Sequence, residues 1–98
     1  MIYVIATLDL RPGSAGAVKK AARPLVAETL REQGCLAYEL CQSDDNPDRL
    51  VFVERWESRE DLERHFTEPH LAEFSRTVKS YMQNERVEII EADSVEVI

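Results

Sequence analysis

Apolar residues at Ile2, Val4, Ala6, Leu8 and Leu10 alternate with Tyr3, Ile5, Thr7 and Asp9, the two-residue period of a strand. Arg11-Pro12-Gly13 stops that strand, and Ser14 is placed to cap a helix. From Ala15 to Gln33 the stripe Val18, Ala22, Leu25 and Thr29, with Ala21 and Val26 beside it, has helical spacing. Pro24 falls inside this helix, where it removes one backbone hydrogen bond and predicts a kink. Gly34 supplies a left-handed stop.

Cys35 to Ser43 reads as a second strand, with Leu36, Tyr38 and Leu40 on one side. Asp44-Asp45-Asn46-Pro47-Asp48 is a dense turn signal, and Arg49 to Glu57 follows as a third strand. In the third strand Leu50, Phe52, Glu54 and Trp56 face one way, Val51 and Val53 the other. The short connection predicts a hairpin. Ser58 with Asp61 resembles a capping box and opens a helix carrying Leu62 and Phe66. Thr67-Glu68-Pro69 interrupts it, with Thr67 placed to cap a further helix whose first turn tolerates Pro69. Leu71, Phe74, Val78 and Met82 mark the buried stripe of that helix, and Arg86 to Ala92 forms the last strand. Ser94 to Ile98 reads as a short further strand or an arm.

No linker, repeat or low-complexity tract divides residues 1–98, so a single α+β domain is expected. Strand, helix, strand, strand, helix, strand is the ferredoxin-like βαββαβ order, a four-stranded antiparallel sheet with helices on one face. The other face then needs a cover. Strand one offers Tyr3 and Ile5 as well as Val4 and Leu8; strand three offers Val51 and Val53 as well as Phe52 and Trp56. A sheet with one wet face alternates more cleanly than this. A second copy of the chain, giving a homodimer through the sheet face, is the simplest cover.

Composition narrows the partners. Twelve basic residues stand against 19 acidic ones, a net charge of -7, and only Lys19 and Lys20 are adjacent. That balance disfavours nucleic acid, which is bound through clustered Lys and Arg, and disfavours anionic membrane surfaces. The apolar run Ile2 to Leu8 lacks a preceding basic region and meets Asp9, Arg11 and Pro12 at once, so it does not read as a secretory leader. A cytoplasmic location is the expectation. Cys35 and Cys41 lie six residues apart in one strand, about 20 Å of extended chain. A disulfide requires Cα atoms within about 7 Å, so the strand excludes a bridge between them. With two cysteines and no histidines in matching metal spacing, no metal site is expected.

Several segments together carry a family resemblance. These are Val53-Glu54-Arg55-Trp56-Glu57-Ser58, His65, and Thr67-Glu68-Pro69-His70-Leu71. Earlier come Arg11-Pro12-Gly13, Arg23-Pro24-Leu25-Val26 and the run Gly34 to Leu40. The chain resembles the antibiotic biosynthesis monooxygenase (ABM) domain family along nearly its whole length, and among subgroups the small bacterial quinol-monooxygenase type. The resemblance implies a homodimeric α/β barrel with a pocket in each subunit between sheet and helices. It also implies oxygenation of phenolic or quinol-like aromatics by molecular oxygen, with no flavin, haem or metal cofactor. A related branch degrades haem with an Asn, Trp, His set; here Ala6 or Thr7, His65 and Ser75 stand in those places, and none matches.

His65 is the foremost catalytic candidate, because an imidazole with a pKa near ~6.5 can take a phenolic proton at neutral pH. Its structural alternative is an ordinary packed or solvent-facing histidine. Glu54, among Phe52 and Trp56, is a candidate to orient His65, or else an edge partner for Arg86. Tyr38, Phe52, Trp56 and Phe74 are candidates to line an aromatic-binding pocket, or else plain core. His70, in a helix first turn, and Thr7, with its hydroxyl, complete the substrate-binding set. Glu57, Glu60 and Glu63 read as a solvated face. Isomerisation of a small carbonyl compound and non-catalytic binding by a stress-associated dimer are the alternative functions, since one fold hosts many chemistries.

Overall fold

A computed structural model describes residues Met1–Ile98. The chain forms β1 (Ile2–Leu10), α1 (Ala15–Thr29), β2 (Cys35–Gln42), β3 (Arg49–Trp56), α2 (Arg59–His65), α3 (Pro69–Val78), a 3-10 turn (Lys79–Tyr81) and β4 (Met82–Glu91). The strands make one antiparallel sheet in the order β2-β3-β1-β4. This is the ferredoxin-like arrangement expected from the pattern. No helix is long and apolar enough to cross a membrane.

Antiparallel partners share a face, so the register assigns every strand residue to one side. Val4 pairs with Glu54 and Ile89, and Ala6 with Phe52 and Val87. Their face packs with Val18, Ala22, Leu25, Leu62, Phe74 and Val78 into one core. The opposite face carries Tyr3, Ile5 and Thr7 of β1, paired with Arg55, Val53 and Val51 of β3 and with Ile90, Glu88 and Arg86 of β4. No element of the chain covers it, and Val53 and Ile90 are 40% and 44% exposed.

Several element ends differ from the sequence reading. Helix α1 stops at Thr29 rather than Gln33. Beyond it, Arg31 N–H donates to Glu28, Glu32 N–H to Thr29 and Cys35 N–H to Glu32, a run of tight turns that brings the chain back to the sheet. Pro24 is accommodated within a single continuous α1. Ser14 makes no side-chain capping bond. Thr67 is not a cap either: its hydroxyl donates to the Arg64 carbonyl at 2.7 Å, and Glu68 precedes Pro69 at the start of α3. Met82 belongs to β4, which begins four residues earlier than expected. Its opening polar residues Gln83, Asn84 and Glu85 carry no alternation to announce a strand. A register shift between Cys35 and Ala37 turns Leu36 out to solvent. Residues 94–98 form an exposed arm without regular structure.

The Ser58 cap does form. Asp61 N–H donates to Ser58 Oγ at 3.2 Å, and Ser58 Oγ–H donates to Asp61 Oδ2 at 2.9 Å. Asp61 also fills the space that a side chain at residue 34 would need: Gly34 has φ +82°, and a Cβ there would fall inside the Asp61 carboxylate. Gly13 has a similar φ of +79° but opens onto free space. Gly13→Ala should therefore cost about 1 kcal/mol, the left-handed strain alone. Gly34→Ala should cost at least twice as much in urea unfolding. Equal losses would show that the Gly34–Asp61 contact is not made.

Candidate active site

His65 is the last residue of α2, and the Ser58 cap fixes the start of that helix. Its ring is 2% exposed and packs inward between two aromatic rings of the sheet. The Trp56 centroid is 4.8 Å away and the Tyr38 centroid 5.3 Å. The carboxylate of Glu32, in the turn after α1, meets the imidazole from behind: Oε2 lies 2.8 Å from His65 Nδ1. The same oxygen lies 2.6 Å from His70 Nε2, in the first turn of α3. A carboxylate oxygen accepts, so His65 carries its proton on Nδ1 and leaves Nε2 as the basic nitrogen. Burial pulls the His65 pKa below its ordinary value, while the bond to Glu32 and its charge pull back. The imidazole is neutral at pH 7, the state a proton acceptor needs.

Beside His65 a cavity of about 210 Å³ opens between the sheet and the α2–α3 pair. Tyr38, Phe52, Phe66 and Phe74 supply its rings, and Val4, Ala6, Leu8, Leu71 and Val87 its aliphatic walls. Glu54 joins His65 as a polar wall. Its Oε1 accepts from Trp56 Nε1 at 3.0 Å. Burial raises the Glu54 pKa to about 7, against the pull of the Trp56 N–H, with the charge of Glu32 adding to the rise. The site thus holds a neutral imidazole and a carboxyl that is part protonated at neutral pH. Cys35 is no nucleophile here, since burial and then the charges of Glu32 and Glu54 push its thiol up to about 11.

The candidates from the sequence fall into distinct places. Tyr38, Phe52 and Phe74 line the cavity with His65. Trp56 is fully buried and supports the imidazole rather than forming a wall. Glu54 does not orient His65, because its bond goes to Trp56; Arg86 pairs with Glu88 instead. His70 stands behind the imidazole, on Glu32. Thr7 is on the opposite face of the sheet, since odd-numbered β1 residues point away from the helices. The orienting residue that sequence reasoning missed is Glu32. It lay inside a stretch that read as helix, and only the tight turns after Thr29 carry it to the histidines.

Glu32, His65 and His70 are a donor set of the kind that holds divalent metals, with ligand atoms all within 4.8 Å of one another. Sequence spacing hid this grouping because it comes from three separate elements. Its distances are those of hydrogen bonds. An ion at about 2.0–2.2 Å from each donor would require Oε2 to withdraw from between the two nitrogens.

Comparison with known proteins identifies the scaffold. The model of the family described as antibiotic biosynthesis monooxygenase matches residues 1–77. The chain belongs to the ABM family. It is 32% identical to the "Probable quinol monooxygenase YgiN" of Escherichia coli (strain K12), over 93% of this chain and 97% of that protein. Among solved structures, PA3566 of Pseudomonas aeruginosa is 32% identical with a TM-score of 0.86, covering 95% of this chain and 94% of that one. Rv0793 of Mycobacterium tuberculosis is 27% identical with a TM-score of 0.88, covering 98% of each. The ABM match runs from β1 to Thr77 of α3 and so contains Glu32, His65, His70 and Glu54. The β4 walls of the cavity lie beyond it.

Two outcomes follow from these electrostatics. Glu32→Gln removes influences that raise the His65 pKa, so the imidazole should titrate at still lower pH and lose its fixed Nδ1–H tautomer. Nitrogen-15 NMR of the ring through a pH series reads both, and an unchanged titration would dissolve the bridge. Glu54 acts on stability. Its folded pKa of about 7 lies above the ordinary 4.5, so its contribution is full below pH 4.5 and is lost as pH rises through 7. At about 1.4 kcal/mol per pKa unit, Glu54→Gln should gain on the parent protein by up to roughly 3 kcal/mol between pH 4 and pH 8. A constant difference would place Glu54 in solvent.

Proposed function

We propose that this chain is a cofactor-independent monooxygenase acting on a small quinol-like or polyphenolic aromatic, with His65 as general base. The observation that carries the reading is the pairing of a ring-walled, largely apolar cavity with an imidazole whose Nδ1 is held by the Glu32 carboxylate. A quinol can supply all four electrons that dioxygen needs. His65 Nε2 takes a hydroxyl proton, and the electron-rich ring carbon then forms a bond to one oxygen atom. The imidazole returns its proton to the distal oxygen, the O–O bond breaks, and water leaves as the ring is oxidised to a hydroxyquinone. The protein holds the ring, moves the proton and excludes bulk water. Membership of the ABM family and the name borne by the YgiN relative support this chemistry.

The expected assembly is a homodimer through the uncovered sheet face. Tyr3, Ile5, Val51, Val53 and Ile90 make its centre apolar, while Arg55, Arg86 and Glu88 lie among them. Covering this face leaves the cavity, on the helix side, open to substrate.

Metal-free protein given a quinol panel should consume oxygen, and His65→Ala should lose at least 100-fold of that rate while keeping its circular dichroism, in line with the ~10²–10⁴ worth of a general base. Turnover without oxygen uptake would replace the oxygenase reading with isomerisation; binding without turnover would leave a ligand-binding protein. Sedimentation should give twice the 11.3 kDa chain mass, and Val53→Asp with Ile90→Asp should return it to one chain. A monomeric parent protein would refute the dimer.

A further inference from the structure

The cavity beside His65 is small. Ligand sites occupy about 300–1,000 Å³, and about 210 Å³ falls below that range. A second hollow of about 480 Å³ adjoins the cavity, with Leu8, Phe74, Ser75 and Glu85 in both linings, and lies along α3 and the start of β4. We propose that this groove is a second binding site, for an apolar side chain carried by the aromatic ring, so that the substrates are alkyl-substituted rather than bare quinols. This rests on the ring-binding reading of the cavity.

The groove has a local cause. Helix α3 ends at Val78, a 3-10 turn follows, and β4 enters the sheet through a register shift. Leu10 pairs with Met82 and Asp9 with Asn84, which leaves Gln83 as an extra residue on β4. Such bulges bend a strand away from its neighbours and re-aim its side chains. The space between α3 and the bulged start of β4 becomes a trough. Its floor is apolar: Leu8, Phe74 and Val78 are buried and Met82 half-buried. Its polar groups stand at the rim, where Ser75, Lys79, Gln83, Asn84 and Glu85 are exposed. An apolar floor with polar edges suits a flexible hydrocarbon chain whose ring sits deeper, against His65. Leu8 points to the helix side of the sheet, so a second copy on the opposite face leaves the trough open.

The test is anaerobic calorimetry with 4-alkylresorcinols from methyl to hexyl, ring mimics that resist oxidation. Kd should fall about fourfold for each methylene that enters the groove, the increment of one buried CH2. Met82→Glu should flatten the series, and Gln83→Trp, at the exposed rim, gives a second obstruction should the first fail to fold. A Kd independent of chain length overturns the proposal, as does a slope that survives in both variants. Chain-dependent binding without oxygen uptake on any quinol would keep the groove and remove the oxygenase. Oxygen uptake on bare quinols with a flat series would do the reverse.

Discussion

A single carboxylate oxygen ties the helical layer of this protein together. Glu32 Oε2 receives His65 from the end of α2 and His70 from the beginning of α3, while Glu32 itself lies within the tight turns that follow α1. The turn after α1 meets two helices more than thirty residues further along the chain at one atom, and their meeting fixes which nitrogen of His65 carries the proton. A buried carboxylate is costly unless its lone pairs are used, and here two donors share one oxygen. The arrangement of α2 and α3 over the sheet and the chemistry of the imidazole are thus one constraint. Moving either helix would unpair the carboxylate, and unpairing it would release the ring.

The two faces of the sheet differ, one packed under the helices and the other uncovered by any element of the chain. The buried residues on its helix side are apolar except Glu54, which lines the cavity beneath the His65 ring. Glu54 survives there because Trp56, two residues along the same strand, offers it an N–H. Helix α2 ends at His65 and α3 begins at Pro69, and Phe66 and Leu71, on either side of that break, both line the cavity.

Much of this was legible in the sequence. The alternation in β1 and β3, the turn at 44–48, the Ser58 cap and the second apolar face all follow from local rules, and they agree with the structure in element order and sheet composition. The cavity rings Tyr38, Phe52 and Phe74 were readable as an aromatic set, though period alone could not separate wall from core. Thr7 was misplaced by chemistry: its hydroxyl suggested a ligand, but the strand period sends it to the other face. The remainder depended on irregularities that local rules do not see. The extra residue in β4, the shift at Leu36 and the tight turns after Thr29 are settled by what each segment meets across the fold. Glu32 is the sharpest case, an acidic residue among others in a charged stretch, distinguished only by where the chain delivers it.

The position of Trp56 has an optical consequence. It is the one tryptophan in the chain, and its indole lies against His65 with its N–H on Glu54. Indole emission from the folded protein therefore originates in a buried environment, in contact with His65 and Glu54. A positively charged imidazole quenches an adjacent indole, whereas a neutral one does so weakly. The chain thus carries a built-in fluorophore that reports the charge state of its own candidate base, with no label and no second indole to dilute it.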